Sequence, residues 1–132
     1  MKIQRIWADK NVSLDSLVAS VEQFLKLKGF AVVKRKQIQF GEQYLIVAIG
    51  SHEGGSRVVI EGRVYRSKNE IFVELSAGER AVSKLSALAN LFGAGYVALR
   101  DLKSEEVLTK LESDFYNYID QAMLDSTKTS NS

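Results

Sequence analysis

The only histidine of the chain, His52, stands in the glycine-rich sequence GSHEGGS. An imidazole with an ordinary pKa of roughly 6.5 can act as a general acid or base at neutral pH. A catalytic site also needs a nucleophile or a second titratable group beside it, and no serine, cysteine or further histidine stands at a spacing that supplies one. We therefore expect His52 to be a solvated loop residue and the chain not to be an enzyme.

The sequence also lacks the ligand patterns of metal and phosphate sites. One histidine, no cysteine and scattered carboxylates do not give the spacings of a zinc or calcium site. The stretch GSHEGGS has neither the lysine and hydroxyl pair nor the following helix of a phosphate-binding loop. We expect no metal and no cofactor.

Positive charge is concentrated in the N-terminal half of the chain. Residues 1–68 contain 12 Lys and Arg against 6 Asp and Glu, a net charge of +6, whereas residues 69–132 contain 6 against 10, a net charge of −4. Strand alternation places Arg35 on the face opposite its two lysine neighbours, which divides the basic cluster. Nucleic-acid binding is therefore the alternative hypothesis, and its candidate contacts are Lys34, Arg35, Lys36, Arg57, Arg63 and Arg66.

The least polar stretch of the chain is LSALANLFGAGYVAL, residues 85–99. The surrounding window contains Lys84, Asn90 and two serines, so it does not supply the about 20 apolar residues of a membrane span. Helical spacing groups its apolar side chains on one face before the glycines at 93 and 95. We expect this segment to pack on the sheet, or to bind an apolar small molecule or a protein partner, including a second copy in a homodimer. The candidate contact residues are Leu85, Leu88, Phe92 and Tyr96.

The composition is that of an ordinary globular protein. A length of 132 residues with 45% hydrophobic and 26% charged residues suits one compact domain. The absence of cysteine excludes disulfides and thiolate metal sites, and the N-terminal sequence MKIQRIWADK lacks the apolar run of a signal peptide. We expect a single cytoplasmic domain over residues 1–125, followed by a disordered tail at 126–132.

Hydrophobic patterns predict the order of the elements. A short strand spans Lys2 to Ala8, and Ser13 caps a helix that ends at Gly29. Four further segments, 31–40, 44–49, 57–66 and 71–75, alternate as strands. The second of these is apolar on both faces, which predicts a central strand covered on each side. A long C-terminal helix begins at Ser104, and its apolar stripe continues to Ala122.

The resulting order, β-α-β-β-β-β-α, predicts an α+β fold in two layers, with a curved antiparallel sheet of four to five strands covered by the N-terminal helix and the long C-terminal helix. In element order, the chain resembles the helix-grip arrangement of START and Bet v 1-like proteins and the TATA-binding-protein-like fold. This resemblance implies the fold alone, because a fold does not determine function. The functional prediction is a small binding or interaction module that uses the apolar segment 82–99.

Overall fold

The computed structural model describes residues 2–8, 12–38, 41–51, 57–78 and 104–130, with side chains up to residue 124 in the last range. The elements in these ranges follow the predicted order, which confirms the α+β fold. They are β1 (Lys2–Ala8), α1 (Leu14–Leu27), β2 (Ala31–Gln37), β3 (Gln43–Ser51), β4 (Arg57–Ser67), β5 (Glu70–Ala77) and α2 (Ser104–Ser130).

The five strands form one antiparallel sheet in the order β1-β5-β4-β3-β2. Strands β2 to β5 form a meander, and β1 pairs with β5, where Ile3 lies opposite Leu75. The sheet is open, with β1 and β2 as its two edge strands. The middle strand is β4, whereas the apolar run at 44–49 predicted that β3 would be central. Strand β3 is nevertheless paired on both sides, with β2 and with β4.

The local sequence explains where α1 begins and ends. The side-chain oxygen of Ser13 accepts a hydrogen bond from the backbone N–H of Ser16 at 3.3 Å, as a helix N-cap does. At the other end, Gly29 adopts a φ of +91°, in the left-handed region. This turn lets the N–H of Phe30 donate to the carbonyl of Leu25 at 3.1 Å. Both predicted helix ends are confirmed.

The hydrophobic core lies between the two helices and one face of the sheet. Strand residues on this face, such as Ile46, Ile60 and Leu75, are fully buried. Phe24 of α1 and Phe115 of α2 meet edge to face, with ring centroids 5.3 Å apart. Burial of these side chains away from water is the main term that stabilises the fold.

Helix α2 continues to Ser130, past residue 125, after which the sequence predicted a disordered tail. Residues 126–130 are helical as a direct continuation of α2, although serine and threonine are weaker helix formers than alanine or leucine. The predicted apolar stripe is present in Leu108, Phe115 and Ile119, all fully buried. In the ranges given above, neither helix is long and apolar enough to cross a membrane.

Candidate binding surface on the second face of the sheet

The face of the sheet opposite the helices, which we call the second face, carries alternate side chains from all five strands. The strand register arranges them in rows that run across the sheet. One row contains Gln37, Gln43, Tyr65, Phe72 and Ile6. The adjacent row contains Arg35, Leu45, Arg63, Glu74 and Gln4. These residues do not belong to the core under the helices, so the second face is a separate surface.

Two aromatic side chains lie side by side on the second face. The rings of Tyr65 and Phe72 are stacked, with centroids 5.0 Å apart and an angle of 4° between their planes. Ile6 is the cross-strand neighbour of Phe72 and is 46% exposed. The guanidinium of Arg63 lies 5.2 Å from the centre of the Tyr65 ring. Aromatic and guanidinium groups are the ones enriched in protein interfaces. We call Ile6, Arg63, Tyr65 and Phe72 the aromatic patch.

The carboxylate of Glu74 holds one side of the aromatic patch in place. Its Oε1 accepts hydrogen bonds from the amide of Gln4 at 2.9 Å and from the hydroxyl of Tyr65 at 3.0 Å. The ammonium of Lys2 lies 3.4 Å from the same oxygen, and Arg63 lies 3.9 Å from Oε2. Burial, and then the hydrogen bond to Glu74, raises the pKa of Tyr65 above its ordinary value. A phenol is already protonated at neutral pH at its ordinary pKa of 10.0, so Tyr65 donates to Glu74, and this hydrogen bond fixes the ring's position.

A group of aliphatic side chains adjoins the aromatic patch on the second face, since Leu45 lies opposite Arg63. It consists of Val33, Leu45, Val47, Ile49 and Val59, which we call the apolar patch. Val47 is 2% exposed and Val59 is 0% exposed, although both lie on the face away from the helices. The solvent side of an antiparallel sheet normally carries polar residues in alternation with the buried ones. The second face therefore departs from the pattern of a sheet face that only meets water.

The six basic residues predicted for nucleic-acid binding divide between the two faces of the sheet. Residues 35, 57 and 63 lie on the second face, whereas residues 34, 36 and 66 lie on the helix-covered face. The division follows from strand alternation, because Arg35 stands between two lysines and Arg63 is an odd number of residues from Arg66. The structure thus places Arg35 and Arg63 in one row on the second face. Their nearest basic neighbours in sequence, at positions 34, 36 and 66, lie on the helix-covered face.

Most of these cations have a carboxylate neighbour. Lys34 lies 3.2 Å from Glu22, and Lys36 and Arg66 lie 3.4 Å and 3.1 Å from the two oxygens of Glu42. The hydrogen bond to Glu42 is the largest cause that raises the pKa of Lys36. Exposed pairs of this kind add little to stability, but they reduce the positive charge that a phosphate backbone would meet.

A surface groove of about 590 Å³ lies between the end of α1 and the middle of α2. Its apolar lining includes Phe24 and Leu27, and the ammonium of Lys28 lies 2.8 Å from the carboxylate of Asp114 at its polar wall. The groove is open to solvent, whereas sites for small molecules enclose most of the ligand. Within the ranges that the structure describes, no cluster of three or more His, Cys, Asp or Glu side chains could hold a metal ion.

The predicted ligand or partner contacts Leu85, Leu88, Phe92 and Tyr96 lie outside the described residues, as does His52. The aromatic patch was missed from the sequence because Ile6, Tyr65 and Phe72 come from three strands that only the register brings together. One feature of the sequence did indicate that the two rings face away from the helices, namely the alternation of side chains along a strand. Tyr65 follows the inward-facing Val64, and Phe72 precedes the inward-facing Val73.

In comparisons with known proteins, no family model, no curated protein and no solved structure matches this chain. No relative therefore indicates a function for any of its surfaces.

Proposed function

We propose that this chain is a cytoplasmic protein-interaction module without enzymatic activity, and that its partner binds the second face of the sheet and the apolar segment 82–99. The aromatic patch carries the proposal, because Tyr65, Phe72 and Ile6 stand in one row on a face that neither α1 nor α2 covers. Within the segment 82–99, we assign the contact with the partner to Leu85, Leu88, Phe92 and Tyr96.

The shape of the available surfaces favours a protein partner over an apolar small molecule. Side chains such as Phe115, Ile46 and Ile60, all fully buried, fill the space between the helices and the sheet. The second face is a sheet surface, and a flat surface with apolar side chains suits another protein better than it suits a small ligand. The partner is a different protein or a second copy of this chain, and the experiment below distinguishes the two.

The aromatic patch alone is too small to form a complete protein interface. A standard protein interface buries about 800 Å² on each partner, whereas a large aromatic side chain buries about 150–250 Å². Tyr65 and Phe72, which are already half-buried, thus supply a minor part of that area. The adjoining row with Arg35 and Gln4 and the segment 82–99 would supply the remainder, with the aromatic patch as the energetic centre.

The test places a photo-crosslinking amino acid at Phe72, with the same replacement at Leu27 as the matched control. Leu27 is an apolar residue on α1, 63% exposed, and lies away from the second face. In extract of the native host, we expect a crosslinked product at Phe72 and none at Leu27. Mass spectrometry identifies the partner, and a product with twice the mass of the chain identifies a second copy.

The partner is then purified and its affinity is measured. Truncation of an interface centre costs about 2 kcal/mol or more, so Phe72→Ala should raise the Kd by about 30-fold. Leu27→Ala should leave the Kd unchanged. Equal products at both positions, no product at Phe72, or an unchanged Kd for Phe72→Ala would each contradict the proposed surface.

Nucleic-acid binding is the second candidate, and one observation favours it. Arg35 and Arg63 share a row beside Tyr65 and Phe72, and proteins that bind single strands combine cations with aromatic rings on one exposed face. The carboxylate of Glu74 in the same row opposes it. Titration of labelled single-stranded DNA or RNA should show binding that weakens steeply with salt, and no binding at low salt would exclude this function.

A further inference from the structure

The guanidinium of Arg63 is held in one place on the second face by its neighbours. Its Nη2 donates a hydrogen bond to Oε1 of Gln43 at 3.2 Å, and Nε2 of Gln43 donates in turn to Oε1 of Gln37 at 2.8 Å. On the other side, Nη1 lies 3.9 Å from Oε2 of Glu74. The guanidinium also lies beside the ring of Tyr65. Because these contacts already restrict the side chain, it loses less conformational entropy when it binds a further group.

Most of the hydrogen-bonding capacity of this guanidinium is unused. The Arg63 side chain is 48% exposed, and among the residues that the structure describes it donates a hydrogen bond to Gln43 alone. The separation of 3.9 Å from Glu74 is a contact between charges and is too long for a hydrogen bond. The remaining N–H groups of Arg63 are therefore available to an acceptor from another molecule.

The cations of the two faces differ in how closely carboxylates approach them. The three basic residues of the helix-covered face, at positions 34, 36 and 66, each lie within 3.4 Å of a carboxylate oxygen. On the second face, Glu74 is shared between Arg63 and Lys2, and Lys2 lies nearer, at 3.4 Å. Arg35, in the same row and about 10 Å from Arg63, is exposed and has no carboxylate partner in the described ranges. This row therefore has positive charge that a negatively charged partner can complement.

The groups around Arg63 favour a carboxylate over the phosphates of a nucleic acid. Tyr65 and Phe72 are stacked on each other, so one face of each ring is already covered, whereas bases bind by stacking on free ring faces. A phosphate backbone would also bring a series of negative charges past Glu74. A single carboxylate binds a planar guanidinium through two parallel hydrogen bonds, and an apolar group next to it can contact Phe72 and the exposed Ile6.

We propose that the partner of the second face is a protein segment that presents an acidic side chain beside an apolar one. The carboxylate binds the guanidinium of Arg63, and the apolar side chain packs on Phe72 and Ile6. Arg35 attracts further acidic residues of the same segment. This inference rests on the proposed function, because it names the chemistry of the partner that binds the second face.

A phage-displayed library of random dodecapeptides, selected against the intact chain, tests the inference. We expect the selected peptides to contain more Asp and Glu than the unselected library, next to aliphatic or aromatic residues. For synthetic copies of them, Arg63→Gln should raise the Kd by about 10-fold, because it removes a charge-assisted pair. Arg63→Lys, which keeps the charge but not the planar fork, should raise the Kd by a smaller factor.

Arg57→Gln is the matched control. Arg57 is exposed on the same face of the same strand, about 20 Å from Arg63, and its replacement changes the net charge equally. It should change the Kd by less than about 2-fold, because a distant exposed charge is screened by salt. Circular dichroism and urea unfolding of each variant confirm that it is folded before its affinity is compared.

Three results would overturn the inference. The selected peptides show no excess of acidic residues, or Arg63→Gln and Arg57→Gln weaken them equally, which means that long-range charge acts in place of a site. In the third, labelled oligothymidylate binds more tightly than the selected peptides at the same salt concentration, and the anion is then a phosphate. A partner crosslinked at Phe72 whose Kd is unaffected by Arg63→Gln refutes this inference alone. Absence of any crosslinked product at Phe72 refutes the proposed function instead.

Discussion

Truncation of two phenylalanines on opposite sides of the sheet distinguishes the core from the proposed binding surface. Phe115 on α2 is fully buried and meets Phe24 edge to face, so Phe115→Ala leaves a cavity. Such a change costs about 3–5 kcal/mol, including about 0.5–1.5 kcal/mol for the aromatic contact. Phe72 is half-buried on the second face, and Phe72→Ala removes a ring that water already reaches. We expect it to cost about 1–2 kcal/mol, much of it from the lost stacking on Tyr65.

Urea unfolding followed by circular dichroism measures both costs. A domain of 132 residues has a free energy of unfolding of about 7–20 kcal/mol. With a urea slope of about 2 kcal/mol per M, Phe115→Ala should lower the midpoint by about 2 M and Phe72→Ala by less than about 1 M. The slope itself should not change, because neither variant alters how much surface unfolding exposes.

Two results would refute the reasoning. If Phe72→Ala lowers the midpoint as much as Phe115→Ala, Phe72 is a core residue and the aromatic patch is not available to a partner. If Phe115→Ala lowers the midpoint by less than about 0.5 M, the packing of α2 on the sheet is not the main source of stability.

Three further predictions concern single residues. Ser104→Ala leaves the buried N–H of Val59 without its acceptor and should lower the free energy of unfolding by about 1–3 kcal/mol, whereas Thr109→Ala, at an exposed hydroxyl, should change it by less than about 0.5 kcal/mol. Equal losses in urea unfolding would argue against the buried bond. Because the pKa of Tyr65 is raised in the folded protein, its contribution to stability is complete below the ordinary value of 10.0 and is lost as pH rises toward the folded value. Tyr65→Phe should reduce the decline of stability between about pH 9 and 11, and an unchanged decline would contradict the shift. Phe92→Ala should cost about 3–5 kcal/mol if Phe92 packs on the sheet, and much less, with weaker association, if it contacts a partner. Unfolding and sizing at low protein concentration distinguish these cases, and no change in either would exclude both.

The fold was predictable because its local signals agree with one another. The cap at Ser13, the left-handed Gly29 and the alternation of Val58, Ile60 and Val64 each correspond to a feature that the structure contains. The position of β3 was not predictable from its composition. Its apolar residues on both faces reflect the apolar patch on the second face, and they do not place β3 at the middle of the sheet.

The candidate site was predictable only in part, because it depends on strand register. Hydrophobic alternation indicates that Tyr65 and Phe72 face away from Val64 and Val73, but it does not show that the two rings stack. The aromatic pair exists because β4 and β5 place residue 65 opposite residue 72. The hydrogen-bond partners of Glu74 likewise come from two other strands. Gln4 belongs to β1, which is distant in sequence, and Tyr65 belongs to β4, which precedes β5 across a turn.

The open edges of the sheet restrict how this protein can associate with others. A strand at an edge has free backbone N–H and C=O groups, and a strand from another molecule can pair with them. The middle of β2 carries Lys34, Arg35 and Lys36, all exposed, and β1 carries Lys2 and Arg5. Charged side chains on an edge strand hinder such strand addition and the fibres that it can start. The basic run at 34–36 thus has a role that requires no nucleic acid, because it discourages edge-to-edge growth of the sheet.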